Sequence, residues 1–108
     1  MNALRILVTT VGGLTSPDIL KALRENGERP VHLLGIDSFE YAVGRYFVDQ
    51  FKLLPYSGDD EARFAKEVFA LARIESIDLI IPCGNEDNLA LARVREDSPC
   101  PIMVADHA

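Results

Sequence analysis

The feature that most limits the fold is a regular alternation of short apolar runs with longer segments of helical periodicity. Apolar runs lie at residues 4–9, 31–36, 49–54, 78–82 and 102–105. Runs of this length, rich in Ile, Leu and Val, are typical of strands that are buried on both faces. Strands that alternate with helices indicate a parallel sheet with helices packed on both faces.

The segments between these runs carry helix signals. A first helix is predicted to begin at Ser16, which is placed to cap it, with Pro17 following where no N–H is needed. Gly27 is placed to end that helix at the C′ position. Residues 60–75 and 86–95 are predicted as two further helices, the latter capped by Asn85, and residues 38–48 as a short or irregular helix.

These elements predict one Rossmann-like domain over residues 1–108, with a three-layer α/β/α architecture and a five-stranded parallel sheet. The length suits one domain of the usual size. Right-handed crossovers are expected. Two strand orders remain open, 3-2-1-4-5 and 2-1-3-4-5.

Charge and composition exclude several classes of function. The net charge is −6, and the eight Arg and three Lys are scattered, so neither nucleic acid nor an anionic membrane surface is an expected partner. No apolar run approaches the roughly 20 residues that span a bilayer, and a cytoplasmic protein is predicted. Cys83 and Cys100 lack metal-ligand spacing and are expected as reduced thiols. His32, inside the second strand, is expected to be a core residue, and no residue is assigned to catalysis or metal binding.

Ligands of open α/β sheets bind beyond the carboxyl ends of the strands. After the first strand, Thr10, Gly12 and Gly13 form a candidate phosphate-binding turn before a helix N-terminus. This turn matches neither the G-x-G-x-x-G nor the P-loop pattern. A tight turn without a ligand is the alternative.

Two further candidates lie at the same edge. Asp37 follows the second strand, 24 residues after Gly13, where Rossmann enzymes contact a ribose hydroxyl; the alternative is a carboxylate that caps the next segment. Asn85, Glu86 and Asp87 follow the fourth strand at a helix N-terminus, where acidic groups complement the dipole. A carboxylate there would also suit a substrate amine or a neighbouring domain. Cys83 lies near this N-terminus, which would lower its pKa.

The motifs together resemble the N-terminal pre-ATP-grasp domain of ATP-grasp ligases, in particular carbamoyl-phosphate-synthase-like proteins. The matching stretches are ILVTTVGG, SPDILKALRENG, HLLGID, GRYFVDQFKLLP and IDLIIPCGNEDNLALAR, in family order over nearly the whole chain. The family pattern Pro-x-x-Asp-x-Glu is replaced by Pro82-Cys83-Gly84-Asn85-Glu86-Asp87. Asn85 and Asp87 therefore depart from it.

The resemblance implies a ligase that activates a carboxylate as an acyl phosphate for attack by an amine. It implies that ATP and Mg²⁺ bind outside this chain and that an ATP-grasp domain is the partner in cis or in trans. It also implies that the present domain helps to form the substrate side of the active-site cleft. It leaves a homodimer open. The alternatives are an NAD(P)- or nucleotide-binding domain of a dehydrogenase or epimerase, and a stand-alone interaction module with a flavodoxin-like fold.

Overall fold

A computed structural model describes residues 2–104 of the chain, which alternate between parallel strands and helices. Two short 3-10 helices, Val43–Phe47 and Arg95–Asp97, join this alternation. The regular elements are β1 (Leu4–Val8), α1 (Ser16–Arg24), β2 (Val31–Asp37), β3 (Gln50–Leu53), α2 (Glu61–Ile74), β4 (Leu79–Ile81) and α3 (Asn85–Arg93).

The four strands form one parallel sheet in the order β3-β2-β1-β4. Leu4 pairs with Val31 on one side of β1, and Ile6 pairs with Leu79 on the other. The order agrees with the first four positions of 3-2-1-4-5. It contradicts the alternative 2-1-3-4-5, because β3 lies beyond β2 rather than beside β1, and this removes the flavodoxin-like order.

The five-strand count is not matched. Beside β4, the predicted fifth strand is reduced to a single parallel bridge between Ile102 and Ile80. Two hydrogen bonds support it, from Ile80 N to Pro101 O (3.0 Å) and from Met103 N to Ile80 O (2.9 Å). The next bond of a parallel ladder would run from the amide of residue 82 to Met103 O, and Pro82 has no N–H to donate, so the pairing ends at this bridge. Ala105, the predicted end of this strand, lies outside the described residues.

Helices cover both faces of the sheet, as the apolar runs predicted. Successive residues of β1 point to opposite faces, so Leu7 faces α2 and α3 whereas Ile6 and Val8 face α1. The first core includes Val68 of α2 and Leu91 of α3, and the second includes Leu20 of α1 and Ala42, next to the first 3-10 helix. The loops at the carboxyl edge of the sheet therefore start from strands that are packed on both faces.

Local details of the helix ends differ from the predictions. Thr15, not Ser16, is the N-cap of α1, because the Ser16 hydroxyl donates to the carbonyls of Val11 and Gly13 (2.6 and 2.9 Å). Gly84, not Asn85, is the N-cap of α3. Gly27 does adopt a positive φ of 77°.

Asn26, the residue before Gly27, stabilises the turn that follows α1. Glu25 is the C-cap, so Gly27 lies one position later than predicted. The Asn26 carboxamide oxygen accepts from the amides of Glu28 and Arg29 (2.8 and 2.9 Å), which closes the turn towards β2. The predicted irregular helix at 38–48 is observed as the 3-10 helix Val43–Phe47.

Candidate functional site

The turn after β1 uses its own backbone amides. Val11 N donates to Ile36 O (3.2 Å), Gly12 N to the Asp37 carboxylate (2.8 Å) and Gly13 N to Thr10 O (2.9 Å). The amide of Ser16 donates to Gly13 O (3.3 Å), and Pro17 has no N–H. An anion at a helix N-terminus needs amides that are free to donate. The two glycine amides and the Ser16 amide already have acceptors, so the part of the turn that was predicted to bind phosphate is used to connect the strand to the helix.

Asp37 fastens this turn to the segment that follows β2. One carboxylate oxygen accepts from Gly12 N, and the other accepts from Phe39 N at 3.0 Å. A Cβ at Gly12 would lie 2.9 Å from both Asp37 Oδ2 and the side chain of Ala42, so this close approach requires glycine. Asp37 thus caps the next segment, as in the second of the two interpretations offered by the sequence.

Asp87 is the centre of a buried hydrogen-bond network at the carboxyl edge. Its side chain is only 3% exposed. One oxygen accepts from the hydroxyls of Thr9 (2.6 Å) and Thr10, and the other accepts from Ser57 Oγ (2.5 Å). Thr9 Oγ1 in turn accepts from Cys83 N at 3.1 Å. The network joins the turn after β1, the loop after β3 and the start of α3.

A cavity of about 160 Å³ opens above this network. Such a volume holds about five water molecules at liquid density, so it suits a small polar group rather than a nucleotide. Its walls come from the loops after all four strands. It is lined by Thr10, Ile36, Asp37, Ser38, Leu54, Pro55, Tyr56, Ser57, Phe64, Gly84, Glu86 and Asp87.

The cavity brings together four of the seven candidate residues. Thr10, Asp37, Glu86 and Asp87 line it. Gly12, Gly13 and Asn85 are outside the lining: the two glycines shape the turn, and Asn85 is exposed at the first position of α3. The sequence pattern therefore placed these four residues at the edge of the sheet where they are observed, and their role as a binding site stays a prediction.

Three contributing residues were not foreseen. Thr9 and Ser57 are buried donors to Asp87, and Tyr56 forms part of the cavity wall. Ser57 and Tyr56 lie in a loop without periodicity, 30 or more residues from Asp87 in the sequence, and nothing local marks them. Thr9 carried a weak signal, since a threonine follows three consecutive apolar residues at the end of the predicted first strand.

The cavity is electrostatically negative. Three carboxylates line it, and no Lys or Arg is among its lining residues. The negative charge of Glu86 is the main cause that raises the pKa of Tyr56, with smaller contributions from desolvation, from its hydrogen bond to Glu86 and from Asp59 and Asp87. These acceptors suit an ammonium or guanidinium group, not a phosphate.

The nearby thiol is unsuited to nucleophilic chemistry. Burial raises the pKa of Cys83 to about 11, and the Asp87 charge adds to this effect. The predicted lowering of this pKa by the helix N-terminus is therefore wrong, because desolvation and a like charge favour the neutral thiol. His32 pairs with Gln50 through Nε2 at 2.8 Å and is partly buried. Between residues 2 and 104, no three His, Cys, Asp or Glu side chains are grouped to hold a metal.

None of the helices within the described chain has the length and apolar character needed to cross a membrane.

Comparisons with known proteins give information on the fold alone. No protein-family model matches the chain, and no curated protein matches its sequence. Among solved structures, the chain is similar to dTDP-glucose 4,6-dehydratase from Bacillus anthracis in complex with NAD, with a TM-score of 0.60 and 10% identity over 93% of this chain. The match covers 36% of that enzyme chain. The chain is therefore a small α/β domain of Rossmann-like fold, with a four-stranded parallel sheet.

Proposed function

We propose that this chain is the front, substrate-side domain of an ATP-grasp carboxylate–amine ligase and is not catalytic by itself. The proposal starts from the motifs that resemble the pre-ATP-grasp domain of carbamoyl-phosphate-synthase-like proteins, which run in order from residue 6 to residue 93. A parallel sheet in the order β3-β2-β1-β4 is compatible with it, because this order was expected for a Rossmann-like domain of either candidate class.

The observation that carries the proposal is the small acidic cavity at the carboxyl edge. Asp37, Glu86 and Asp87 give it carboxylate acceptors, and no cationic side chain lines it. It therefore favours an amine-bearing substrate group and does not fit the phosphates of ATP, which need cations or free amides. ATP and Mg²⁺ belong to the grasp domain in this proposal, and no step of the reaction is assigned to this chain's residues.

A nucleotide-binding domain of a dehydrogenase or epimerase is the second candidate. The similarity in fold to an NAD-bound dehydratase favours it. Against it, the amides of Gly12, Gly13 and Ser16 already have acceptors inside the chain. The pyrophosphate of a dinucleotide would need these donors.

The two candidates make opposite predictions for ligand use. The polypeptide should be produced as its gene encodes it, together with the product of any adjacent ATP-grasp gene. ADP release from ATP and Mg²⁺ is then measured with a panel of small carboxylates, with and without amines. NAD and NADP binding is measured on the same sample by isothermal titration calorimetry.

Carboxylate-dependent ADP release without saturable binding of NAD or NADP supports the ligase proposal. Binding of NAD or NADP in the micromolar range, with no ADP release for any carboxylate, would overturn it in favour of the dinucleotide-binding domain. Loss of either activity in Glu86→Gln, with Glu28→Gln in the exposed turn before β2 as the matched control, would connect the activity to the acidic cavity.

A further inference from the structure

An exposed aromatic surface lies beside the acidic cavity. It comprises Phe39, Tyr41, Val43, Tyr46 and Phe47, each of them more than half exposed. The chain has eight Phe and Tyr residues, and four of them lie between residues 39 and 47. A small monomer rarely exposes so many large apolar side chains together, so this surface needs a partner.

The aromatic surface is rigidly placed. Ala42 N donates to Phe39 O and Arg45 N donates to Ala42 O, both at 3.1 Å, so the segment forms consecutive tight turns. Gly44 is packed so closely on the backbone of Val11 that no Cβ fits there. Phe39 and Tyr41 contact each other edge to face, with ring centroids 5.6 Å apart. A segment whose backbone is already ordered loses little backbone entropy on binding.

One end of the surface, at Phe39, adjoins the cavity, whereas Tyr46 and Phe47 at the other end line a groove against α1. Asp37 and Ser38 line the cavity, and Phe39 follows directly, with its amide bonded to the Asp37 carboxylate. On the far wall, Tyr56 is 45% exposed and also lines the cavity. A partner that covers the aromatic surface would therefore also reach the mouth of the acidic cavity.

We propose that the aromatic surface docks a protein domain that presents apolar side chains together with one Lys or Arg, and that this cation pairs with the exposed Glu86 carboxylate at the rim of the acidic cavity, which stays open to the substrate amine. Charge complementarity identifies this occupant, because three carboxylates line the cavity without a cationic side chain. The carboxylates around Tyr56 all raise its pKa, which agrees with a negative potential at the cavity mouth. The proposal rests on the proposed function, in which a grasp domain is the neighbour.

Site-specific crosslinking in the complete protein tests this docking. A photo-crosslinking amino acid replaces Tyr41 in the polypeptide as its gene encodes it, with any separately encoded ligase subunit present. The control position is Ile74, which is 77% exposed on α2, a helix that covers the other face of the sheet. Crosslinked peptides are then identified by mass spectrometry.

Crosslinks from position 41, and not from 74, to one site on another domain that carries a Lys or Arg support the proposal. Glu86→Lys should lower that crosslink yield roughly tenfold, because like charges at an interface repel. Replacing the partner's cation by Glu in the same sample should restore it, whereas Glu86→Gln should have a smaller effect.

Three results would overturn the docking proposal: crosslinks only to a second copy of this chain, equal crosslinking from positions 41 and 74, or a yield that Glu86→Lys leaves unchanged. The ADP assay separates this failure from failure of the proposed function. Carboxylate-dependent ADP release with no crosslink from position 41 rejects the docking surface alone. A charge-dependent crosslink without ADP release rejects the ligase and keeps the docking surface.

Discussion

At the scale of single residues, Asp87 is the most consequential side chain of the carboxyl edge. Its replacement by alanine would leave the buried hydroxyls of Thr9 and Ser57 without their acceptor. An unsatisfied buried polar group costs about 1–3 kcal/mol. We expect Asp87→Ala to lower the free energy of unfolding by about 3 kcal/mol, measured by urea denaturation with circular dichroism.

The adjacent acid provides the control for this measurement. Glu86 lies in the same first turn of α3 but is exposed, so Glu86→Ala should change the free energy of unfolding by less than about 0.5 kcal/mol. Equal effects of the two substitutions would mean that helix-dipole complementarity, which both acids share, is the main contribution of Asp87. The hydrogen-bond network would then contribute little to the free energy of unfolding.

At the scale of elements, the first 3-10 helix depends on one glycine. A Cβ at Gly44 would overlap the carbonyl of Val11 and approach its Cβ to 2.7 Å. Because backbone atoms cannot yield as a flexible side chain does, Gly44→Ala should destabilise the protein by about 3 kcal/mol or more. In Gly13→Ala, by contrast, the nearest atom is 3.2 Å away and the loss should be smaller. Thermal unfolding of both variants followed by circular dichroism measures the difference, and similar melting temperatures would contradict it.

The junction of α1, β2 and β3 should depend on pH through Asp49. Its carboxylate accepts from Leu33 N at 2.7 Å and lies 3.1 Å from the Arg24 guanidinium. Desolvation raises the pKa of Asp49, but the hydrogen bond from Leu33 and the charge of Arg24 outweigh it, so the net shift is downward. The stabilisation is therefore complete at pH values well above the unfolded pKa of about 4 and is lost as the pH falls through the lower folded pKa.

Asp49→Asn should thus lower the free energy of unfolding at pH 7 by less than about 1 kcal/mol, because solvent screens a partly exposed pair. The difference from the unsubstituted protein should shrink as the pH is lowered from 5 to 2. Urea titrations at several pH values measure this trend. A difference that is constant with pH would show that the carboxylate charge is not what stabilises the junction.

Sequence patterns predicted these elements well where the signal is local. The apolar runs predicted all four strands to within one residue at each end. Around Leu7, Leu34 and Ile80 the signal is strong because a strand buried on both faces is largely apolar. The Asp60 N-cap, which accepts from Arg63 N at 3.0 Å, agrees with the predicted start of α2 at residue 60. The predicted fifth strand was too long, because the pattern ignored that Pro82 on the neighbouring strand has no N–H to continue the pairing.

Non-local contacts were beyond such patterns. Ser57 and Asp87 are 30 residues apart, and Thr9 and Asp87 are 78 apart, so their hydrogen bonds exist only after the strands pair. The cap at Thr15 was missed for a different, local reason, because the Ser16 hydroxyl donates to the Val11 carbonyl instead of capping the helix. The acidic side chains could be placed at the correct edge, but not their division into a buried network and an open cavity wall.

At the scale of the whole molecule, the aromatic surface predicts weak self-association of the 108-residue chain when no partner domain covers it. Its apolar side chains are removed from water most simply against a second copy. Tyr46→Ser combined with Phe47→Ser should lower the association constant at least tenfold, because both rings are more than half exposed in the single chain. Sedimentation velocity over a range of protein concentrations measures the association.

The matched control is Ile74→Ser, which removes an exposed apolar side chain from α2, outside the aromatic surface. It should leave the association constant unchanged, and all three substitutions should leave the free energy of unfolding within about 0.5 kcal/mol, because the side chains are exposed. If the Ile74 variant reduces association as much as the double variant does, hydrophobicity in general drives association. If a grasp domain added in trans dissociates the self-associated chain, the two occupants compete for the aromatic surface.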